Sequence, residues 1–216
     1  MIHRPTDYSL YLVTDRALSH GRSTREVVQA GVRGGVTCVQ LREKRATTRA
    51  FIEEALDVKA CLNSSGVPLV INDRVDVALA VGADGVHLGQ NDMPLDMARA
   101  LVGTSMVIGV SVESVRDAVA AQRGGADYLG VSPIFATPTK SDTAAPLGLA
   151  GLHAIRRAVR LPLVAIGGVN RRNAADVIGS GADGIAVVSA IVAADDPERA
   201  ARDLRRAIAV ARGLCA

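Results

Sequence analysis

Two carboxylates of the 216-residue sequence, Asp73 and Asp92, follow two neighbouring short apolar runs. Carboxylates on adjacent loops can bind a Mg²⁺ ion whose remaining ligands are water and phosphate oxygens. Each residue could instead cap the helix behind it, and Asp73 could equally pair with a neighbouring charge. The pair therefore indicates a candidate cation site, and helix capping stays open as the alternative.

Amide and basic side chains accompany these carboxylates. Gln40 and Arg42 lie two residues apart, so on a strand their side chains would share a face, and Lys44 and Asn72 are expected at the same rim. A guanidinium group inside a protein is costly unless an anion or a carboxylate meets it. An anionic ligand and an internal pair with Asp or Glu are the two interpretations of Arg42.

Residues 132–146 form a loop of about fifteen residues, which is long for a segment without a function. The hydroxyls of Thr137 and Thr139, on either side of Pro138, can bind a phosphate together with backbone N–H groups. Lys140 adds a mobile positive charge. The alternative to a phosphate-binding loop is a disordered segment at the protein surface.

Small residues end the last two apolar runs, at Gly167-Gly168 and at Val188-Ser189. Glycine lets the backbone approach a phosphate, and a helix N-terminus favours the anion, although a plain turn would also use glycine. His87, inside the fourth run, is interpreted as a packed histidine rather than a metal ligand. No Ser–His–Asp set has a spacing that supports a hydrolase.

The elements that must position these side chains alternate strictly. Short runs rich in Val, Ile and Leu predict strands at residues 10–14, 36–42, 68–72, 84–88, 106–110, 127–131, 162–167 and 183–189. Helical spacing predicts helices at residues 26–33, 47–62, 74–81, 95–101, 115–123, 149–159, 171–179 and 197–211. Eight strand–helix repeats predict an α/β fold, a single (β/α)8 TIM barrel spanning residues 1–216, with function at the carboxyl ends of the strands.

A Gly-Ala-Asp triplet recurs where a helix is predicted to end and a strand to begin. The glycine suits a left-handed helix terminus. The three aspartates, which stand at the opposite rim from the candidate site, are therefore predicted to be structural: Asp84, Asp127 and Asp183.

Composition excludes several classes of protein. Hydrophobic residues make up 49% and aromatic residues 2% of the chain, so the core must be aliphatic and no stacking platform for nucleic acid is expected. The formal charge of +3 suits an anionic ligand without identifying one. Three scattered cysteines, Cys38, Cys61 and Cys215, indicate neither zinc nor a disulfide framework. The absence of a signal-like or membrane-spanning apolar run predicts a cytoplasmic protein.

The sequence resembles the thiamine-phosphate synthase family over nearly its whole length. Eight segments carry the resemblance in one order: Tyr11-Leu-Val-Thr-Asp15, Val39-Gln-Leu-Arg-Glu-Lys44, Ile71-Asn-Asp-Arg-Val-Asp76, Gly82-Ala-Asp-Gly-Val-His-Leu-Gly-Gln90, Ile108-Gly-Val-Ser111, Pro133-Ile-Phe-Ala-Thr-Pro-Thr-Lys140, Ala165-Ile-Gly-Gly168 and Val187-Val-Ser-Ala-Ile191. Two departures concern the stiffness of the loop: Ser132 stands where the family often has Gly, and Ala136 where it often has Pro.

The resemblance implies a transferase that condenses 4-amino-2-methyl-5-(diphosphooxymethyl)pyrimidine with a (carboxy)thiazole phosphate to give thiamine phosphate and pyrophosphate. It implies one Mg²⁺ per subunit, held by Asp73 and Asp92. The implied contacts to the pyrimidine diphosphate are Gln40, Leu41, Arg42, Glu43, Lys44, Asn72, Ser111 and Lys140. The implied contacts to the thiazole phosphate are Thr137, Pro138, Thr139, Gly168, Val188 and Ser189.

Within these sets, catalytic roles are implied for Lys140, Arg42, Lys44 and Ser111, as groups that stabilise the departing diphosphate. The expected partners are small molecules, without nucleic acid or membrane, and a homo-oligomer stays open. Three rival hypotheses remain: a thiazole tautomerase-like relative, a sugar-phosphate isomerase and a non-catalytic sensor of thiamine precursors. A diphosphate–Mg²⁺ site argues against the first, and the lack of a clear acid/base pair argues against the second.

Overall fold

The computed structural model describes residues 6–137 and 145–214. Eight parallel strands close into a barrel in the order in which they occur in the chain, so the predicted (β/α)8 TIM barrel is confirmed. The strands are β1 (Leu10–Val13), β2 (Cys38–Leu41), β3 (Leu69–Asn72), β4 (Gly85–Leu88), β5 (Val107–Val112), β6 (Tyr128–Val131), β7 (Leu163–Ala165) and β8 (Gly184–Val187). The helices are α1 (Thr24–Arg33), α2 (Thr48–Leu62), α3 (Val75–Val81), α4 (Leu95–Val102), α5 (Val115–Arg123), α6 (Gly148–Ala158), α7 (Ala174–Gly179), α8 (Ser189–Val192) and α9 (Pro197–Ala211).

Alternation along each strand divides the core into two parts. On β1, Leu10 and Leu12 point outward into the aliphatic core beneath the helices, whereas Tyr11 and Val13 point into the barrel. The inward-facing cluster also contains Tyr128 and the unbridged thiol of Cys38. Because both faces of the strands are buried, the strands read in the sequence as continuous apolar runs.

Side-chain caps explain where several helices begin. Ser23 accepts a hydrogen bond from the backbone N–H of Glu26, and the Glu26 carboxylate accepts from the backbone N–H of Ser23 in return. Asp196 caps α9 through the N–H of Arg199, and Pro197 occupies the first turn. The predicted start of the last helix is therefore confirmed. None of the helices in the described residues is long and apolar enough to cross a membrane.

Several predicted boundaries are wrong at the carboxyl side of the barrel: β5 ends at Val112 rather than at residue 110, and β7 ends at Ala165 rather than at residue 167. The seventh helix begins at Ala174 rather than at residue 171, because Asn170 and Asn173 form hydrogen bonds with nearby backbone N–H groups and hold a turn instead. The eighth strand ends at Val187, and Ser189 begins the short helix α8 instead of ending the strand. The changes to the seventh helix and the eighth strand shorten these elements and leave irregular backbone at the rim.

The aspartates of the repeated triplets brace the opposite rim, as predicted. Each accepts a hydrogen bond from the backbone N–H of a residue in the preceding strand or at its start: Asp84 from Leu69 at 2.8 Å, Asp127 from Ile108 at 2.7 Å and Asp183 from Leu163 at 2.8 Å. Arg99 and Arg156 also pair with two of these carboxylates. This rim therefore contributes to stability and is remote from the carboxyl ends of the strands.

Candidate active site

A cavity of about 450 Å³ opens at the carboxyl ends of the strands. Eleven of the predicted site residues line it: Gln40, Arg42, Lys44, Asn72, Asp73, Asp92, Ser111, Thr137, Gly168, Val188 and Ser189. Pro138, Thr139 and Lys140 lie outside the described residues. These eleven residues thus share one cavity, and they include both carboxylates of the candidate cation site.

Two predicted contacts do not line this cavity. Leu41 is fully buried in the aliphatic core between the sheet and the helices. Glu43 lies beyond the end of β2, where burial raises the pKa of its carboxyl above the usual value. The side chains of both residues are outside the cavity wall, so their roles in ligand binding stay predictions.

Asp73 and Asp92 face the same space. Asp73 has a positive φ of 62°, and its N–H donates to the backbone carbonyl of His87 at 2.8 Å. Asp92 accepts a hydrogen bond from the Gly89 N–H at 2.7 Å. Burial raises the pKa of Asp92 above its usual value, and the adjacent Asp73 raises it further. A positive φ is uncommon outside glycine, so the backbone of Asp73 adopts a conformation that few residue types tolerate.

Helix capping, the alternative for these carboxylates, is wrong. Arg74 stands at the N-cap of α3 and Pro94 at that of α4, neither with a side-chain capping bond. Arg74 forms its ion pair with Asp76 and not with Asp73. Neither carboxylate caps a helix, and the pairing alternative for Asp73 is present, because Lys44 Nζ lies 2.5 Å from Asp73 Oδ2.

These two carboxylates fit a divalent cation that takes only some of its ligands from the protein. Within residues 6–137 and 145–214, no group of three or more His, Cys, Asp or Glu side chains is placed to hold a metal. Mg²⁺ commonly binds through one or two carboxylates, with waters and substrate phosphates completing the octahedron. The donor set thus suits an ion that arrives with, or is completed by, a phosphate-bearing ligand.

The positive groups at the rim are already paired with carboxylates. Lys44 Nζ lies 2.5 Å from Asp73 Oδ2, and an Arg42 guanidinium nitrogen lies 3.3 Å from Asp15 Oδ2. The internal pair considered for Arg42 is thus present, although Arg42 also lines the cavity. A guanidinium has five N–H donors, so the pair with Asp15 leaves donors for an anion.

The glycines after β7 bring the loop after β6 against the cavity. The N–H of Phe135 donates to the Gly167 carbonyl at 2.9 Å. A Cβ at Gly168, where φ is +67°, would lie 2.8 Å from Phe135 Cβ and 2.9 Å from the Ala136 carbonyl oxygen. Only glycine allows this approach, which places Thr137 at the cavity wall beside Val188 and Ser189.

Three cavity residues have roles that the sequence analysis missed: Tyr11, His87 and Tyr128. The interpretation of His87 as a packed histidine gave no partners for it: its Nδ1 lies 2.9 Å from the Tyr128 hydroxyl and its Nε2 lies 2.9 Å from Ser111 Oγ. Polar atoms on inward-facing strand positions, in a chain with very few aromatics, are the signal that could have identified them.

Comparison with known proteins identifies the family of the chain. Residues 10–191 match the family model described as "Thiamine monophosphate synthase". A thiamine-phosphate synthase of Chloroflexus aurantiacus is 60% identical over 204 residues, covering 94% of each chain. One from Albidiferax ferrireducens is 58% identical over 199 residues, covering 92% of this chain and 91% of the other.

Solved structures give the same result. Thiamine phosphate pyrophosphorylase from Pyrococcus furiosus superimposes with a TM-score of 0.88 at 39% identity, covering 95% of this chain and 98% of that one. A 3-hexulose-6-phosphate synthase, at 20% identity and a TM-score of 0.65, shares the fold alone. The region matched by the family model contains all of the residues that line the cavity, and the chain belongs to the thiamine monophosphate synthase family.

Proposed function

We propose that this protein joins the pyrimidine diphosphate to the thiazole phosphate within the cavity at the carboxyl ends of the strands. Members of its family condense these two substrates in thiamine biosynthesis. The observation that carries the proposal for the site is the meeting of Asp73 and Asp92 with Lys44 and Arg42 in one cavity. Carboxylates for a cation and fixed positive groups together suit a diphosphate leaving group.

The proposed reaction breaks the bond between the exocyclic CH₂ of the pyrimidine and the diphosphate oxygen, and the leaving diphosphate takes the electron pair. The thiazole nitrogen then supplies a pair to the CH₂ carbon. When Mg²⁺ is bound at Asp73 and Asp92, it supplies positive charge to the diphosphate. The site residues need no strong base for this chemistry, which agrees with the lack of an acid/base pair in the sequence.

The protein's own groups have distinct tasks in this proposal. Arg42, Lys44, Ser111 and Lys140 donate hydrogen bonds or positive charge to the diphosphate as it departs. Gln40 and Asn72, both buried polar residues at the cavity wall, orient the pyrimidine. Leu41 and Glu43 would act through their backbone.

Gly168, Val188 and Ser189, together with Thr137 of the loop after β6, hold the phosphate of the thiazole, and the family resemblance adds Pro138 and Thr139 to this set. Glycine and backbone N–H groups after strands 7 and 8 suit a phosphate in this fold. The described loop residues close to β7, Ile134 and Phe135, hydrogen-bond to the backbone of Ile166 and Gly167. This attachment supports a loop that excludes water. Water would otherwise react with the CH₂ carbocation that remains on the pyrimidine after the diphosphate has left. We expect the enzyme to act in the cytoplasm with one Mg²⁺ per subunit.

Mixing the two substrates with Mg²⁺ and measuring both pyrophosphate and thiamine phosphate tests the proposal. Stoichiometric formation of both products, dependent on each substrate, is expected. A tautomerase-like relative would bind the thiazole phosphate without releasing pyrophosphate, and a sensor would bind precursors without turnover. Either result would contradict the proposal.

A further inference from the structure

A continuous chain of five hydrogen-bonded side chains crosses the interior of the barrel. Gln40 Nε2 donates to the Tyr11 hydroxyl at 3.0 Å, and the Tyr11 and Tyr128 hydroxyls lie 2.8 Å apart. The Tyr128 hydroxyl lies 2.9 Å from His87 Nδ1, and His87 Nε2 lies 2.9 Å from Ser111 Oγ. The five residues come from five different strands, and both end residues line the cavity.

The barrel backbone is shaped to accommodate this chain. A Cβ atom at Gly109 would overlap the ring of Tyr128, and one at Gly130 would lie 2.8 Å from His87 Cε1. Tyr11 and Tyr128 are almost fully buried. Burial raises the pKa of both phenols well above the usual value, so each keeps one proton to donate at neutral pH.

If His87 is neutral and each hydroxyl donates to a member of the chain, the direction of one hydrogen bond determines the direction of the rest. When the Gln40 amide donates to Tyr11, the Tyr11 proton is directed to Tyr128 and the Tyr128 proton to His87 Nδ1. His87 then carries its proton on Nε2 and donates to Ser111 Oγ, which leaves the Ser111 hydroxyl with a proton to donate to a ligand. In this state the ligand meets the Gln40 carbonyl oxygen as an acceptor and Ser111 as a donor.

Rotating the Gln40 amide by half a turn reverses every step. The amide oxygen would accept from Tyr11, Tyr11 from Tyr128, Tyr128 from His87 Nδ1–H, and Nε2 would accept from Ser111. Gln40 would then present N–H groups to the ligand, and Ser111 only lone pairs. Under the same condition, a mixture of the two directions would place two protons or two lone pairs against each other in a buried site, which is costly.

We propose that the Gln40–Tyr11–Tyr128–His87–Ser111 chain is a specificity device that selects a 4-aminopyrimidine over a 4-oxopyrimidine, with Tyr11, Tyr128 and His87 as positioning residues. This inference rests on the proposed function, since it concerns the pyrimidine diphosphate. An amino group is a donor and requires the Gln40 oxygen, which aligns Ser111 as a donor toward an acceptor of the same ligand. An oxo group requires the reversed chain, in which Ser111 presents lone pairs to that acceptor.

Calorimetric affinities for the amino diphosphate and its 4-oxo counterpart, measured with Mg²⁺, test the device without relying on turnover. We expect the wild type to prefer the amino compound by about a hundredfold or more, as sites built on buried hydrogen bonds do. Tyr128→Phe, which removes one hydroxyl and keeps the ring, should reduce that preference about tenfold. Tyr8→Phe is the matched control, because the Tyr8 ring packs 4.5 Å from the Tyr128 ring while its hydroxyl is outside the chain.

A ligand-independent measurement accompanies these affinities. ¹⁵N NMR of the His87 ring should show the Nε2–H tautomer in the wild type and in Tyr8→Phe, and a mixed or reversed tautomer in Tyr128→Phe. An Nδ1–H tautomer in the wild type, or a Tyr128→Phe protein that keeps the full preference for the amino compound, would overturn the inference. If Tyr128→Phe does not fold, Tyr11→Phe interrupts the chain one link earlier. It should show the same reduced preference for the amino compound and the same change of the His87 tautomer.

The two proposals fail in different ways. If the wild type binds and turns over normally but Tyr128→Phe keeps the full preference for the amino compound, only the inference about the hydrogen-bond chain is contradicted. Failure of the wild type to bind either diphosphate would contradict the proposed function, and the His87 tautomer would still report on the direction of the chain.

Discussion

Lys44 Nζ donates to Asp73 Oδ2 at 2.5 Å, and Asp73 in turn lies beside Asp92. The side chain of Asp73 is only 19% exposed, whereas that of Lys44 is 52% exposed. The lysine can therefore swing toward a ligand while the carboxylate stays in place. This relationship links the proposed cation site to a positive group that can reach the diphosphate.

Asp73→Asn removes one hard anionic ligand and leaves Lys44 without its charged partner. We expect the Mg²⁺ concentration for half-maximal pyrophosphate release to rise about tenfold, which corresponds to about 1.4 kcal/mol. Asp76→Asn is the control, because Asp76 pairs with Arg74 and is exposed. An unchanged Mg²⁺ titration would refute the metal role of Asp73.

Asp92→Asn should stabilise the protein in EDTA, because it removes a partly buried negative charge next to Asp73. Burial raises the pKa of Asp92 in the folded protein, so its ionised form destabilises the fold as pH rises above the usual Asp range. We expect a Tm increase of about 2 °C at neutral pH, shrinking to nothing in acid, where the wild-type carboxyl is protonated. A Tm gain that is independent of pH would contradict this electrostatic explanation.

Lys140→Ala should slow single-turnover pyrophosphate release by about a hundredfold, as for other preorganised groups that stabilise developing charge. Lys140 lies outside the described residues, and this expectation comes from the family resemblance. Lys59→Ala is the control: Lys59 Nζ donates to the carbonyls of Val81 and Gly82 at the end of α3, so its loss should cost stability and leave the rate intact. A full rate in Lys140→Ala would remove this lysine from the mechanism.

Gly168→Ala should disturb the approach of the loop after β6 to the cavity. The added methyl group meets Phe135 and Ala136 at a φ of +67°, which we expect to cost about 1–3 kcal/mol. We also expect the KM for the thiazole phosphate to rise about tenfold, the equivalent of 1.4 kcal/mol. Gly66→Ala has a similar φ of +69° with no atom within 4 Å of the new Cβ, so it reports backbone strain alone. Equal effects of the two substitutions on KM would contradict a specific role for the contact.

Asp127→Ala tests the division between the two rims of the barrel. It removes the carboxylate that accepts from the Ile108 N–H and that pairs with Arg99, although Arg99 keeps its hydrogen bonds to backbone carbonyls. Urea unfolding should show a loss of about 1–3 kcal/mol, and kcat/KM should stay within about twofold of wild type, since this rim is remote from the site. Asp127→Asn keeps an acceptor oxygen and should lose less stability. A selective fall in kcat/KM without loss of stability would show that the residue acts on catalysis.

Much of the fold follows from local patterns in the sequence. The alternation of aliphatic runs with helical spacing predicted the barrel, because strands covered on both faces and helices covered on one face have different periodicities. The placement of Asp73, Asp92, Lys44 and Ser111 at one rim followed from their positions at strand ends. Boundaries were less predictable where Asn170 and Asn173 substitute side-chain hydrogen bonds for helical ones.

The sequence by itself determined the element order, the rim that holds the site and the family of the protein, because each of these depends on residue type and short-range spacing. Only the tertiary structure decided which partner each polar group takes: Asp15 for Arg42, Lys44 for Asp73, and Tyr128 for Tyr11, 117 residues away along the chain. The physical reason is that hydrogen-bond partners are chosen by proximity across the closed barrel. Inward-facing side chains from distant strands meet there, and no local pattern records that distance.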